Sequence, residues 1–432
     1  MRFIYNSCRL SEEKIIKTAG ILTDYVNDLK EITLRKNYEA PEGSLNLPSD
    51  KVIEDEIKKV MRKMVSNKLK YIINIGIGGS YLGTRAVYDA LHGAFETIEN
   101  RRFPKIIFAD TNDPEFLTKL TRFLSAEIVR NDEILINVIS KSGGTTETMV
   151  NFEVILAALS RKFPDILNRT VVTTDEESKL YRAAQNKDCQ ILTMPKKVGG
   201  RYSIFSNVGM FPLAVSGVDT KKLRGGAISM RTLCLNKNPA QNPALLSACI
   251  LYLHYKNGIP MNDNFFFHTE LESLGKWYRQ LMGESIGKNG EGITPLVSIG
   301  SNDLHSTVQL YWGGPKNKLT ALISSKNYRE NNTVPSRLQF PGLTADIENK
   351  SLSDIMSAIY RGVIITYKKL ELPFVEIVLD TVSEKSLGEF MQFKMIEIMY
   401  LAKLLRMNAF DQPQVELYKI ETKKILREKS TI

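Results

Sequence analysis

The sequence predicts an α/β protein: two stacked α–β–α sandwich domains with mainly parallel sheets, flanked by helical N- and C-terminal arms. Three observations carry this. Short, near-continuous apolar runs such as "YIINIGI" and "EILINVI" read as strands buried on both faces. Segments with helical spacing separate them, the alternation of a doubly wound parallel sheet. The same alternation starts again after about residue 245, with little residue identity to the first series.

Taken in order, residues 10–34 have helical spacing, and "APEGSLNLP" breaks it. "YIINIGI" is the first strand, "GSYLGTRAVYDALHGAF" a helix, "KIIFAD" a strand, "DPEFLTKLTRFLSAE" a helix and "EILINVI" the third strand. "RTVVTT" and "CQILTM" supply two more, separated by "SKLYRAAQNKD". In the second series "NPALLSACILYLHYKNG" and "LESLGKWYRQLMGES" read as helices, and "NDNFFFH", "ITPLVSIG", "LTALISS" and "FVEIVL" as strands. "LGEFMQFKMIEIMYLAKLLR" is apolar on most sides, as a buried helix is. These patterns divide the chain into an N-terminal arm over 1–60, α/β domains over 61–215 and 216–400, and a C-terminal helical segment over 401–432. Ligands of open parallel sheets lie at the carboxyl ends of the strands, so the loops there are the places to look for chemistry.

The composition narrows the function classes. The chain has 432 residues, 43% hydrophobic and 25% charged, with no apolar run near the roughly 18 residues of a membrane span. The start, "MRFIYNSCRLSEEK", lacks an apolar signal core, so the expectation is a cytoplasmic protein. Cys8, Cys189, Cys234 and Cys249 form no Cys-x-x-Cys pair and read as buried thiols of a reducing compartment. The net charge of +10 is spread along the chain and not gathered in a stripe, which points away from nucleic acid.

Two glycine-rich loops follow strands. Gly76-Ile77-Gly78-Gly79-Ser80-Tyr81-Leu82-Gly83 departs from a dinucleotide fingerprint because Tyr81 stands where glycine is needed, although Asp110 could serve as a ribose acid. The second, "ISKSGGTTET" at 139–148, places five hydroxyls, two glycines and Lys141 before a helix. Unpaired N–H groups at a helix start, close backbone approach at glycine, and a cation together suit a phosphate. A simple helix cap at Thr145 or Thr146 explains the hydroxyls but not Lys141 beside two glycines. "GESIGKN" at 283–289 is one residue short of an ATP-binding loop and lacks its terminal hydroxyl.

The acid–base groups are few. Of the four histidines, His92 has ordinary helical spacing, His254 sits among aromatics as a core residue, and His268 ends a strand. His305 stands in a loop just after a strand and is the best placed for catalysis. Glu284 lies in a glycine-rich bend ending a helix, Arg201 follows two glycines, and Lys419 lies in a helix with other lysines. Taken singly, Glu284 reads as a solvated carboxylate and Lys419 as one lysine of a helix with several, while Arg201 fits either a guanidinium fixed near a ligand or a surface salt bridge.

Together, "GIGGSYLG", "SKSGGTTET", "VGGRYS", "GES-x-GK", "DLHS-x-x-QL" and "FDQPQVELYK" occur in the order found in glucose-6-phosphate isomerases, and the chain resembles the shorter bacterial members of that family. The resemblance implies two sugar-isomerase (SIS-type) domains, hexose 6-phosphate substrates, a homodimer, and no metal or cofactor. Carried over by residue, it implies a phosphate cradle from Ser80, Ser140, Lys141, Ser142 and Thr145, and further substrate contacts from Gly79 and Gln412. Glu284 would be the base moving a proton between carbons 1 and 2, and Arg201 the cation beside the enediolate. His305, donated across the dimer interface, and Lys419 would assist ring opening. Two other classes stay open on residues alone: a sugar-phosphate sensor, which needs only the cradle, and a dinucleotide enzyme built on the first glycine loop.

Overall fold

The computed structural model describes residues 1–344 and 346–429. Its strands form two five-stranded sheets. The first contains β2 (Tyr71–Ile75), β3 (Lys105–Ala109), β4 (Ile134–Ile139), β5 (Thr170–Thr174) and β6 (Gln190–Thr193), in the order β3-β2-β4-β5-β6 and parallel throughout. The second contains β7 (Met261–Phe266), β8 (Thr294–Ile299), β9 (Lys318–Ser325), β10 (Phe374–Leu379) and β1 (Arg2–Ile4), in the order β1-β10-β9-β7-β8. All its pairs are parallel except β1 with β10. Thus residues 2–4, inside the segment read as a helical arm, belong to the second sheet. Further along, that arm carries α-helices at Glu12–Gly20 and Thr23–Arg35, and a third, Lys51–Met64, begins in it.

The central strands behave as the apolar runs require. Every residue of β4 is buried, and it pairs on both sides, so side chains on neither face meet water. Helices cover both faces. Asp113 caps the Pro114–Glu127 helix by accepting from the Phe116 N–H at 2.8 Å, with Pro114 in the first turn, where its missing N–H costs nothing.

The Glu384–Leu404 helix is buried along nearly its whole length, as its uniform apolarity predicts. Two glycines bring it against the Thr220–Cys234 helix. A Cβ at Gly388 would lie 1.9 Å from the Leu223 carbonyl oxygen, and one at Gly226 would lie 2.0 Å from that of Lys385. Only glycine allows so close an approach of two backbones. The same helix carries the buried Lys394–Glu397 pair, 2.9 Å apart, and Glu397 also accepts from the Tyr278 hydroxyl at 2.6 Å. Tyr278 belongs to the Glu272–Ile286 helix, so this polar knot fixes the rotation of the helix whose last turn carries Glu284. Cys8, Cys234 and Cys249 are buried as expected, whereas Cys189 is only half-buried. Among the described residues, no helix is long and apolar enough to cross a membrane.

Candidate active site

The loops after β2 and β4 lie side by side because their strands are register-matched neighbours, Ile75 opposite Val138. A Cβ at Gly76 would stand 3.2 Å from the Ile139 carbonyl oxygen. Gly78 has φ +59°, and a Cβ there would come within 2.9 Å of the Gln280 amide nitrogen. Gly79 meets a third segment: its Cβ would lie 2.1 Å from the backbone carbon of Gly200. The first loop therefore packs its glycines against the "VGGR" turn and the 272–286 helix. That occupation disfavours the dinucleotide reading, which needs the face of the second glycine open to a pyrophosphate. Asp110 is engaged too, 3.4 Å from the Arg85 guanidinium.

In the second loop Ser140 is buried and its Oγ donates to Thr145 Oγ1 at 3.3 Å. Thr145 occupies the N-cap position of the Thr146–Ser160 helix but makes no side-chain capping bond. The helix-cap explanation of this hydroxyl is thus absent, and the first-turn N–H groups have no side-chain partner from it. Gly143 has φ +65°, and a Cβ there would strike the Leu180 backbone nitrogen at 2.5 Å. Ser142 is exposed and accepts from the Gly144 N–H at 3.3 Å. Lys141 donates to the Val198 carbonyl at 3.0 Å, which ties the loop to the segment leading into "VGGR". Burial pulls the Lys141 ammonium below its usual range; Asp175 opposes this and Arg201 adds to it. Ser80 sits half-buried at the end of the first loop.

Arg201 is the hub. Far from a surface salt bridge, its side chain is 1% exposed. All five N–H donors are matched. Nε donates to Ser285 Oγ at 2.8 Å, and Nη2 to the carbonyls of Ala409 at 2.6 Å and Asp411 at 3.1 Å. Nη1 donates to Glu284 Oε2 at 3.1 Å and Gln412 Oε1 at 2.8 Å. Glu284 lies in the last turn of its helix, 28% exposed, and its other oxygen accepts from Gln280 Nε2 at 2.9 Å. The carboxylate is therefore held from both sides yet open to solvent, which neither of the single-residue readings described.

Gln280, Ser285 and Lys288 complete the cluster and were missed from sequence. Gln280 stands one turn before Glu284 on the same helix face, an i, i+4 relation readable in retrospect. Its own oxygen is buried without a partner. Lys288 donates to the Ser285 and Asn408 carbonyls and pairs with Asp411 at 2.7 Å. It thereby fixes the 408–412 turn that delivers Gln412.

His305 and Lys419 are not brought into this cluster within one chain. His305 is exposed in the turn after β8, the edge strand of the second sheet, and its ring has no hydrogen-bond partner among the described residues. Lys419 lies on the Pro413–Lys429 helix and pairs with Glu416 at 2.7 Å. That helix does approach the second loop: burial first, and then the Glu147 carboxylate in the opening turn of the 146–160 helix, push the Tyr418 phenol up. Two of the other histidines have structural partners. His254 Nε2 lies 2.7 Å from the Cys8 carbonyl and His268 Nε2 lies 2.7 Å from Ser325 Oγ. Burial holds both below the usual imidazole range. Among the described residues no cluster of three or more His, Cys, Asp or Glu could hold a metal ion.

A phosphoglucose isomerase family model matches residues 38–320. The glucose-6-phosphate isomerase of Methanocaldococcus jannaschii is 34% identical over 359 residues, 83% of this chain and 84% of that protein. That of Mycoplasmopsis pulmonis is 32% identical over 428 residues, 94% and 96% of the two chains. Among solved structures, a hypothetical protein of Thermus thermophilus superposes with a TM-score of 0.84 at 28% identity, covering 98% of this chain and 99% of that one. A glucose-6-phosphate isomerase of Chlamydia trachomatis gives 0.81 at 19% identity, covering 100% and 89%, a likeness of fold.

Proposed function

The chain belongs to the phosphoglucose isomerase family, and from that premise we propose that it interconverts glucose 6-phosphate and fructose 6-phosphate, with Glu284 carrying the proton between carbons 1 and 2. The observation that carries the assignment is the Glu284 carboxylate, gripped by Gln280 and Arg201 beside the two loops at the carboxyl ends of β2 and β4.

The chemistry asks for what these residues offer. The substrate phosphate sits over the start of the 146–160 helix, where Ser140, Ser142 and Thr145 supply hydroxyls, Lys141 a charge and Ser80 a donor from the first loop. The pyranose ring opens when a proton passes to its ring oxygen and the C1 hydroxyl loses one; His305 of the partner and Lys419 serve this step. Glu284 then takes the proton from C2, leaving an enediolate with its charge on O1; O1 gains a proton as the C2 hydroxyl gives one up, and Glu284 returns its proton to C1 as the C2 oxygen becomes the carbonyl. Arg201 balances the developing negative charge. Its Nε and Nη2 are committed to buried partners, so Nη1 is the edge that turns to the oxyanion when Glu284 releases it. Gln412 and the backbone at Gly79 border the sugar. A homodimer is part of this reading, supported by the unpartnered His305 ring and by Leu417 and Ile420, 64% and 60% exposed on the 413–429 helix. The four unpaired cysteines support a cytoplasmic setting.

The test is a coupled assay of the purified chain with fructose 6-phosphate, without added metal. Glucose 6-phosphate should appear, and Glu284→Gln should bind substrate with KM within a few-fold while kcat falls by roughly 100- to 10,000-fold. Binding without turnover by the unmodified chain defeats the assignment and favours a sugar-phosphate sensor; near-normal turnover by the variant defeats Glu284 as the base.

A further inference from the structure

The two sheets have the same strand order once the chain is followed through each. The first strand of each series, β2 or β7, lies between the second and the third, and the fourth follows outside: β3-β2-β4-β5 and β8-β7-β9-β10. In such sheets the connections leave in opposite directions from the first and third strands, and a crevice opens at their carboxyl ends. In the first sheet that point, between β2 and β4, holds the two glycine-rich loops. A cavity of about 570 Å³, within the usual range for small-molecule pockets, reaches from the equivalent point of the second sheet, at the ends of β7 and β9, across to β10. Phe267, the first residue after β7, and Ser324 and Ser325, the last of β9, form its floor.

The lining is cationic and rich in hydroxyls. Lys326 follows Ser325 directly, so a Ser-Lys pair closes the third strand here as Ser140-Lys141 does in the first sheet. Arg2 reaches the rim from β1, held opposite Val378 near the carboxyl end of β10. Arg361 and Ser357 come from the Leu352–Lys369 helix. No ion pair or side-chain hydrogen bond engages Arg2, Lys326 or Arg361 among the described residues. The one acid in the lining, Asp354, accepts from Ser351 Oγ at 2.6 Å and keeps its charge, so three cations stand against one carboxylate. The net positive charge of this concavity favours a dianion placed in it.

We propose that this cavity is a second binding site for a small phosphate monoester of sugar-phosphate size, separate from the Glu284 centre. The comparison between the sheets rests on reading the 140–145 loop as a phosphate cradle; the cavity and its charges do not. No acid–base pair of the Glu284 kind stands in the lining, so the site binds and does not isomerise.

Calorimetric titration of the full chain at low ionic strength with sorbitol 6-phosphate, which has no carbonyl to turn over, tests this. Two binding events per chain are expected. Lys326→Glu with Arg361→Glu should weaken one of them by roughly tenfold or more and leave kcat/KM for fructose 6-phosphate within twofold. Ser357→Trp, which fills the cavity without altering charge, should do the same. Lys141→Glu should remove the other event. A single event in the unmodified chain, or a second one that survives both cavity variants, overturns the proposal. If the cavity variants remove their event but Lys141→Glu leaves the other intact, the cradle reading falls and the second site stands.

Discussion

Arg201 has every donor engaged inside the protein, and that decides how a substitution there behaves. Lysine keeps the charge but offers three donors from one point, and cannot serve Ser285, Glu284, Gln412 and two carbonyls together. Arg201→Lys should lower kcat by roughly 100- to 1000-fold, the usual loss for one charge-stabilising group. It should also lower the urea midpoint, because each buried acceptor left unpaired costs about 1–3 kcal/mol. Steady-state kinetics and urea unfolding of the same preparation separate the two effects; a variant as stable as the parent defeats the account of Arg201 as hub. From sequence, the two glycines before Arg201 pointed to close packing but gave no burial, so a surface pair read equally well. The acceptors that bury it come from residues 83 to 211 positions away, beyond any local pattern. Gln280 was missed for the opposite reason: it lies within one turn of Glu284, but a polar residue on a helix is ordinary unless its neighbour already marks a site.

Among the elements, the buried parallel strands were legible because neither face meets water and their apolar runs are unbroken. β1 was not: three residues carry no period, and its partner β10 lies at the far end of the chain. The Asn207–Val215 helix was equally silent, being buried on nearly all sides and interrupted by Pro212. The first glycine loop was read for its ligand, while the structure gives Gly79 a packing duty against Gly200. Gly79→Ala should therefore lower stability by about 1–3 kcal/mol in urea unfolding, since backbone cannot yield as a flexible side chain does. Gly144→Ala, which meets nothing within 4 Å, is the control and should leave the midpoint unchanged. β7 supplies a pH-dependent case. Asp263 is fully buried, with one oxygen accepting from Ser298 Oγ at 2.8 Å and the other unpaired. Burial, with a smaller push from Asp303, raises its carboxyl to about 7, while Ser298 and Lys318 oppose the rise. The native state therefore holds a proton that the unfolded chain releases near 3.8, so stability falls as pH climbs from about 4 to about 7 and then levels off. Asp263→Asn should remove up to about 4 kcal/mol of that slope. Its gain in Tm over the parent should be larger at pH 8 than at pH 5; an equal gain at both rejects the buried proton.

At the scale of the whole molecule, one chain brings Glu284, Arg201 and the two glycine-rich loops together but leaves His305 outside them. The ring projects from the turn after the edge strand β8, exposed and unpartnered among the described residues. In the proposed two-fold dimer equivalent patches meet face to face, and each His305 would complete the other chain's site. The arrangement makes an arithmetic prediction. Glu284→Gln and His305→Ala homodimers should each be nearly inactive. In a mixed dimer, one site combines both lesions and the other combines Glu284 of one chain with His305 of its partner. Co-expression with two different tags and sequential purification should then yield heterodimers with about half the activity of the unmodified dimer. If each histidine instead serves its own chain, both sites of the mixed dimer carry a lesion and no activity returns. Subunit exchange during purification lowers the recovered fraction but cannot create activity from two dead homodimers. Recovered turnover therefore identifies a shared site, and its absence in verified heterodimers places His305 back in its own chain or out of the reaction.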